Sequence, residues 1–372
     1  MAEVSGFATL GASWFSNPHA DFAYNNHSTG PGHTRLIDFG LDSNLGLQWS
    51  SLIDNNVRLT AQTVIYRDAS SQITPSLTLF NALIPINDQF SLRVGRTQNP
   101  NFLYSDYRQV HYALPWIRPP REVYGVTSFF NYDGVQLRHQ KLVCNNWDWV
   151  TLLGVANASM DYSIDGASNV DTTNAQAMRY VSMSLHRENW TVKLSYEVGQ
   201  LTAHTVTVDN ALNAIYQLGY IDLADKMSLN NKTYHFVSLS AQLDSPNWLL
   251  IGEVAYRSLD AYFGQRGGAY LTLGRHFGRY MPYLTLARTW TLTESNPQPI
   301  AQSLYDGVSY SASSVTLGVS FELSDNAILK AEAQGIAPDP GSRWVYEAYD
   351  SSYAYRAPNQ DLLLSVSLDV VF

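Results

Sequence analysis

The residues best placed to do chemistry lie in one stretch, 99–128: Asp106, Arg108, Arg118, Arg121 and Glu122, with His111 near its middle. They are interleaved with Tyr104, Tyr107, Tyr112 and Trp116, and with prolines at 115, 119 and 120. Fixed acids and bases beside a narrow aqueous gap create a field that orients dipolar solutes and biases ion passage. No bond need be made or broken for that. Motifs for covalent or metal chemistry are missing: no His-Glu-x-x-His, no Cys-x-x-Cys, no phosphate loop and no Gly-x-Ser-x-Gly. No enzyme, cofactor or metal site is therefore expected. A long irregular segment usually carries function. Prolines fix φ and stiffen this one, so it is expected to pack in one place. Tyr104, Tyr107, Tyr112 and Trp116 read as packing groups. Arg118 and Arg121 have two readings, exposure to a pore or anchoring on wall carboxylates. Asp106 reads as an anchor or as a constriction charge.

The flanking sequence says what would hold this segment. Apolar and polar residues alternate over roughly ten positions, almost end to end, which is a strand period. The strands are expected at about 4–15, 36–52, 57–66, 77–86, 89–97, 129–142, 147–160, 177–187, 190–200, 233–243, 248–259, 269–277, 281–293, 313–323, 327–336 and 361–372. Separators alternate between tight turns, such as Asp54-Asn55-Asn56 and Ser245-Pro246-Asn247, and longer polar loops. Part of one loop, 211–223, has weak helical periodicity. This rhythm suits an all-β, transmembrane antiparallel barrel of about sixteen strands, with short periplasmic turns and long extracellular loops. Nothing marks a linker, so residues 1–372 are expected to form one domain.

Composition agrees. Only 15% of the residues are charged and 13% are aromatic, with 24 Tyr and 9 Trp. Soluble domains carry about 25% charged residues, whereas barrels need aromatic girdles at both membrane interfaces. Trp147, Trp190 and Trp248 each follow a short turn, as interface anchors would. A secreted β-sandwich or propeller rich in Tyr fits composition alone equally well. No apolar run approaches the ~18 residues of a membrane helix. A net charge of -9 gives no basic footprint for nucleic acid. The single cysteine, Cys144, falls in a turn and is assigned no chemistry. Met1-Ala2-Glu3 leads straight into a strand, as expected of a mature chain with an initiator Met.

The final strand alternates sharply: Leu362, Leu364, Val366, Leu368, Val370 and Phe372 on one face, Asp361, Ser365, Ser367 and Asp369 on the other, broken by Leu363 and Val371. This ending, the strand Leu92-Arg93-Val94-Gly95-Arg96, the stretch 99–128 and the following Asn131-Tyr132-Asp133-Gly134-Val135 together resemble the general porins of Gram-negative outer membranes. The resemblance implies that the third outer loop folds into the lumen and narrows it, that Phe372 serves as an assembly signal to the barrel assembly machinery, and that the chain is a homotrimer among outer-membrane lipid and lipopolysaccharide. A short second outer loop, 68–72, departs from the trimer-clasping loop of that family. The implied constriction residues are Tyr104, Asp106, Arg108, His111, Arg118, Arg121 and Glu122. Strand alternation adds Arg58, Arg138, Lys193, Glu197, Lys330 and Glu332 to the pore wall, and Arg93 joins them. The expected function is passive diffusion of small polar solutes and ions, with a constriction that tolerates or mildly favours anions. The alternatives are a substrate-specific channel, favoured by the aromatic, Pro-rich loop, and a surface receptor or adhesin barrel, favoured by the large loops 205–231 and 337–360.

Overall fold

The computed structural model describes residues 2–24, 29–53, 56–127, 129–143, 146–163, 170–204, 206–261, 265–292, 310–340, 342, 346–348 and 360–372. Its strands are β1 (Ala2–Phe15), β2 (Ala20–Phe22), β3 (Asn44–Leu52), β4 (Arg58–Arg67), β5 (Ile73–Pro85), β6 (Phe90–Gln98), β7 (Asn131–Val143), β8 (Trp147–Ser163) and β9 (Val170–Arg187). They continue as β10 (Trp190–His204), β11 (Lys232–Asp244), β12 (Trp248–Leu259), β13 (Gln265–Arg275), β14 (Tyr280–Leu292), β15 (Ala312–Ser324), β16 (Ala327–Pro338), β17 (Tyr346–Ala348) and β18 (Asp361–Val371). The helices are α1 (Arg121–Tyr124), α2 (Val206–Gln217) and α3 (Ile221–Met227). Sixteen of the strands close an antiparallel barrel, and β18 pairs with β1 to seal it. The other two, β2 and β17, form a small sheet of their own.

Closure satisfies every strand edge, which a bilayer demands because it offers no hydrogen bonds. Alternation then sorts the side chains. On β18, Leu362, Leu364 and Val366 face outward and are exposed, while Ser365, Ser367 and Asp369 face inward and are buried. Opposite them on β1, Leu10 pairs with Leu368 outside and Thr9 with Asp369 inside. Trp49, Trp149, Trp190, Trp248 and Tyr280 point outward near the short-turn ends of their strands. This is a one-sided aromatic belt of the kind that marks a membrane interface in transmembrane barrels. The terminal Phe372 closes the seam: Gly6 N–H donates to its carbonyl at 2.7 Å, and its own N–H donates to the Gly6 carbonyl at 2.9 Å. Gly6 leaves room for the Phe372 ring, since a Cβ there would lie 2.4 Å from it.

The second strand is shorter than its alternation predicts. It begins at Asn44, because Asp42 turns inward to a buried ion pair and Asp38 bonds back to Ser13 instead. The expected helix at 211–223 is a pair, α2 and α3, packed through Ile215, Leu223, Ala224 and Met227. Residues Asp54, Asn55, Cys144 and Asn145, and most of the loops at 293–309 and 343–359, lie outside the described residues.

Candidate functional site

The loop between β6 and β7 enters the barrel and stays there. Its neck is closed by Asn99 N–H donating to the Phe130 carbonyl at 2.9 Å. Two 3-10 turns follow, Ser105–Tyr107 and His111–Ala113, and then α1. Pro119 and Pro120 stand just before α1, where a missing N–H and a fixed φ do no harm. Phe102, Tyr104, Leu114, Trp116, Val123 and Tyr124 form a dry cluster with Phe236, Leu249, Ile251, Tyr270 and Tyr283 of the inner wall. Trp116 sits edge-on to Tyr104 and Tyr270, each with ring centres 5.4 Å away. Its indole N–H reaches Thr272 Oγ1 and Thr285 Oγ1, both at 3.1 Å. The lumen is thus packed solid along β11–β14.

An irregular backbone buried in this way must find partners for its amides and carbonyls. The wall supplies them with charge. Lys193 Nζ donates to the Phe102 carbonyl at 2.7 Å, and Lys330 Nζ to the carbonyls of His111 (2.6 Å) and Trp116 (3.1 Å). Glu253 accepts from Leu103 N–H and Glu332 from Ile117 N–H, both at 3.0 Å. Glu197 accepts from Asn101 Nδ2 at 2.9 Å, from Tyr234 at 2.6 Å and from Tyr132. Lys330 is paired with Asp369 at 2.9 Å, both side chains fully buried. Of the seven expected pore-wall residues, six from alternation and Arg93 beside them, Lys193, Glu197, Lys330 and Glu332 are buried against the loop. Arg58, Arg93 and Arg138 are not.

The loop residues divide in the same way. Arg118 is buried. Its Nε and Nη2 donate to the two carboxylate oxygens of Asp42 at 2.8 and 2.7 Å, and Nη2 also reaches Ser365 Oγ at 2.7 Å and Ser13 Oγ at 3.1 Å. Burial opposes ionisation of Asp42, but the Arg118 guanidinium outweighs it and holds the carboxyl below its usual range. Glu122 is fully buried and bonded to Ser314, and burial pushes its carboxyl upward. Tyr104 lies in the dry cluster, its hydroxyl on Gln242 at 3.0 Å. Burial pushes His111 down to about 4, against the pull of Asp369 and Asp42, so it is neutral at physiological pH. Arg108 stacks on Phe130, 4.2 Å from its ring centre, and Arg121 lies over Tyr24. Asp106 is exposed on the open side.

Across from Asp106 the wall is basic. Arg93 faces Gln136 and Arg138 faces Ser91 in the β6–β7 ladder, which sets the two arginines diagonally on the lumen side. Arg93, Asp148 and Asp106 are the charges that bear on Arg138. Arg58 is exposed at the short-turn end of β4. Two cavities flank the loop. One of about 360 Å³ is lined by Asp42, Asn44, Arg67, Arg108 and His111 among others, and the other, of about 280 Å³, by Tyr107, Pro115, Gln242, His276 and Lys330.

Asp42, Glu253 and Asp369 belong to this site, although their positions in the sequence do not announce it. One signal was available: in β12, Leu249-Leu250-Ile251 is apolar on both faces, the pattern of a strand covered on both sides. Gly268 is the other hidden part. A Cβ there would lie 1.8 Å from the Glu122 carbonyl oxygen and 3.2 Å from Val123 Cα. Both are backbone atoms, so α1 would have to move. Gly268→Ala is expected to cost about 1–3 kcal/mol, as overpacking does, and to speed tryptic cleavage after Arg121. Unchanged cleavage rates would show that α1 is not seated by this contact.

No family model matches the chain, and no curated protein does. Solved structures do match over its whole length. The Salmonella typhi OmpF structure in complex with daunomycin is 12% identical with a TM-score of 0.61, covering 100% of this chain and 97% of that one. The anion-selective porin from Comamonas acidovorans is 11% identical at 0.59, covering 100% and 99%. The outer-membrane channel DcaP of Acinetobacter baumannii is 11% identical at 0.57, covering 100% and 97%. The fold is that of the sixteen-stranded outer-membrane porins.

Proposed function

We propose that this chain spans the bacterial outer membrane and lets small hydrophilic solutes and ions diffuse through a constriction that mildly favours anions. The observation that carries this reading is the half-filled lumen: the inserted loop is locked to one wall, and Arg93 and Arg138 of the open wall stand within electrostatic reach of the exposed loop acid, Asp106. Arg108, Arg118, Arg121 and Glu122 serve mainly to hold the loop, so the constriction field comes from the wall. A cationic gap of low dielectric raises the local concentration of anions despite the net charge of -9. The chain works as a homotrimer among outer-membrane lipid and lipopolysaccharide, delivered by the barrel assembly machinery through the strand ending at Phe372.

Planar-bilayer recording in a salt gradient tests this. The expected reversal potential is anionic, with a large ohmic conductance. A cation-selective reversal potential overturns the charge assignment, and no conductance at all overturns the channel. The second reading, a substrate-specific channel, is favoured by the tight aromatic seating of the loop. It requires a small conductance that a particular solute blocks. Liposome swelling with a panel of sugars, amino acids and organic acids separates the two.

A further inference from the structure

One band of charge lies on the outer face of the barrel, where it has no part in permeation. At the short-turn end, outward cations stand directly opposite outward indoles across the ladder: Lys141 opposite Trp149, Arg187 opposite Trp190 and Arg275 opposite Trp248. Directly opposed side chains are the ones that interact in a sheet. The Arg275 guanidinium lies 4.8 Å from the Trp248 ring centre and 4.9 Å from that of Phe277, and Arg187 lies 5.9 Å from the ring centre of Trp147. An aromatic face holds a cation without cancelling its charge. Among the described residues, the acid that approaches one of the three is Glu188, 3.9 Å from Arg187 Nε, and its side chain is 78% exposed. A surface pair of that length contributes little. The strand acids at this level point inward instead. Asp148, next to the outward Trp149, accepts from Gln140 on the lumen face, and Asp244 is opposite the buried Leu249 and bonds His276.

The long-loop end is arranged differently. Its outward arginines among the described strands are Arg96, Arg179 and Arg288, and two of them grip a carboxylate with both prongs: Arg96 holds Asp133 at 2.7 Å twice, and Arg288 holds Asp339 at 2.6 and 2.5 Å. Outward cations are thus neutralised by acids at one end and left charged on aromatic rings at the other. A long basic side chain at a membrane boundary lays its stem on apolar surface and keeps its head among the lipid headgroups. We propose that Arg275, Arg187 and Lys141, seated beside the belt tryptophans, form a docking surface for the phosphate headgroups of anionic phospholipid in the leaflet at the short-turn end. The proposal rests on the outer-membrane reading above. It deepens that reading by naming the lipid chemistry that one end of the barrel selects.

The test folds the full-length barrel into phosphatidylcholine vesicles and reads quenching of its tryptophans by lipids with brominated chains. Brominated phosphatidylglycerol is expected to occupy the contact positions with about fivefold preference over brominated phosphatidylcholine at low salt, the factor that one Lys or Arg contributes at an anionic surface. That preference should fall toward unity in about 0.5 M salt, which screens headgroup charge. Arg187→Gln/Arg275→Gln is expected to bring the low-salt preference below about twofold, and Arg187→Lys/Arg275→Lys to keep it. Arg96→Gln/Asp133→Asn, which removes a charge pair at the long-loop end, should leave it unchanged. Equal quenching by the two lipids in the native chain overturns the proposal, as does a preference that survives in the Gln variant. Should that variant fail to fold, salt on the native chain decides: a preference that vanishes supports the surface, and one that does not move defeats it. Quenching by neither lipid overturns the outer-membrane reading and the proposal with it, so the two failures look different.

Discussion

Replacing Arg118 by Met is expected to destabilise the barrel by about 3–5 kcal/mol, the usual consequence of removing one partner of a buried ion pair. Both side chains of the Arg118–Asp42 pair are almost wholly buried, at 6% and 1% exposure. Without Arg118, the Asp42 carboxylate keeps, among the described residues, only Ser13 Oγ, at 2.9 Å, as a side-chain donor. The loss is mechanical as well. Arg118 ties the inserted loop to β1 through Ser13 and to β18 through Ser365, so one side chain staples the loop across the seam that closes the barrel. The variant is expected to unfold at lower urea in a vesicle-based folding assay, and to show larger, noisier single-channel currents as the loop swings free. Arg118→Met/Asp42→Leu removes both charges, and should recover most of the stability. It should not restore quiet currents, because the staple stays broken. Equal stability of the single variant and the native chain would mean that the pair contributes nothing.

The contrast between the two faces of each strand explains what the sequence could reveal. An outward-facing side chain has only one environment, so Leu362, Leu364 and Val366, or Leu10 opposite Leu368, declare themselves by alternation. The inner face has two environments. Along β3–β8 it meets the open side of the lumen, and there Arg58, Arg93 and Arg138 remain at least partly exposed. Along β11–β14 it meets the inserted loop, and there Phe236, Ile251, Tyr270 and Tyr283 form a packed core. Periodicity assigns a face but cannot say what covers it. Lys193 and Lys330 therefore look like pore charges in the sequence, yet they hold loop carbonyls. Leu363, which breaks the alternation of the last strand, is in fact core: it packs with Phe15, Phe22 and Leu41 where the first outer loop folds over it. The stiffness of the third loop was legible because prolines and aromatics state it locally. Its anchors were not, because Arg118 and Asp42 are 76 positions apart.

That division also fixes where selectivity should respond to mutation. Charges that hold the loop are paired and buried, so altering them changes stability first. Arg93 and Arg138 are only partly buried and carry no ion pair among the described residues. Arg138 is held by Gln140, at 2.6 Å, which in turn bonds Asp148. Arg93→Glu/Arg138→Glu turns two positive charges into two negative ones on the wall opposite Asp106, leaving an acidic gap on both sides. Each unit charge at such range acts on a passing ion by about 1 kcal/mol in water, somewhat less after screening at 0.1 M salt. The anion-to-cation permeability ratio is expected to fall roughly tenfold to a hundredfold, enough to invert the sign of the reversal potential. Asp106→Asn should move it the other way by a smaller step, since it removes one opposing charge. Both shifts should shrink as bath salt rises, because the effect is electrostatic and not a change of bore. Arg58→Glu, at the exposed end of β4, should act in the same direction but more weakly, its charge being better solvated. A double variant that retains the native reversal potential would relocate the selectivity filter away from this wall, toward the outer cavity of Arg67 and Arg108.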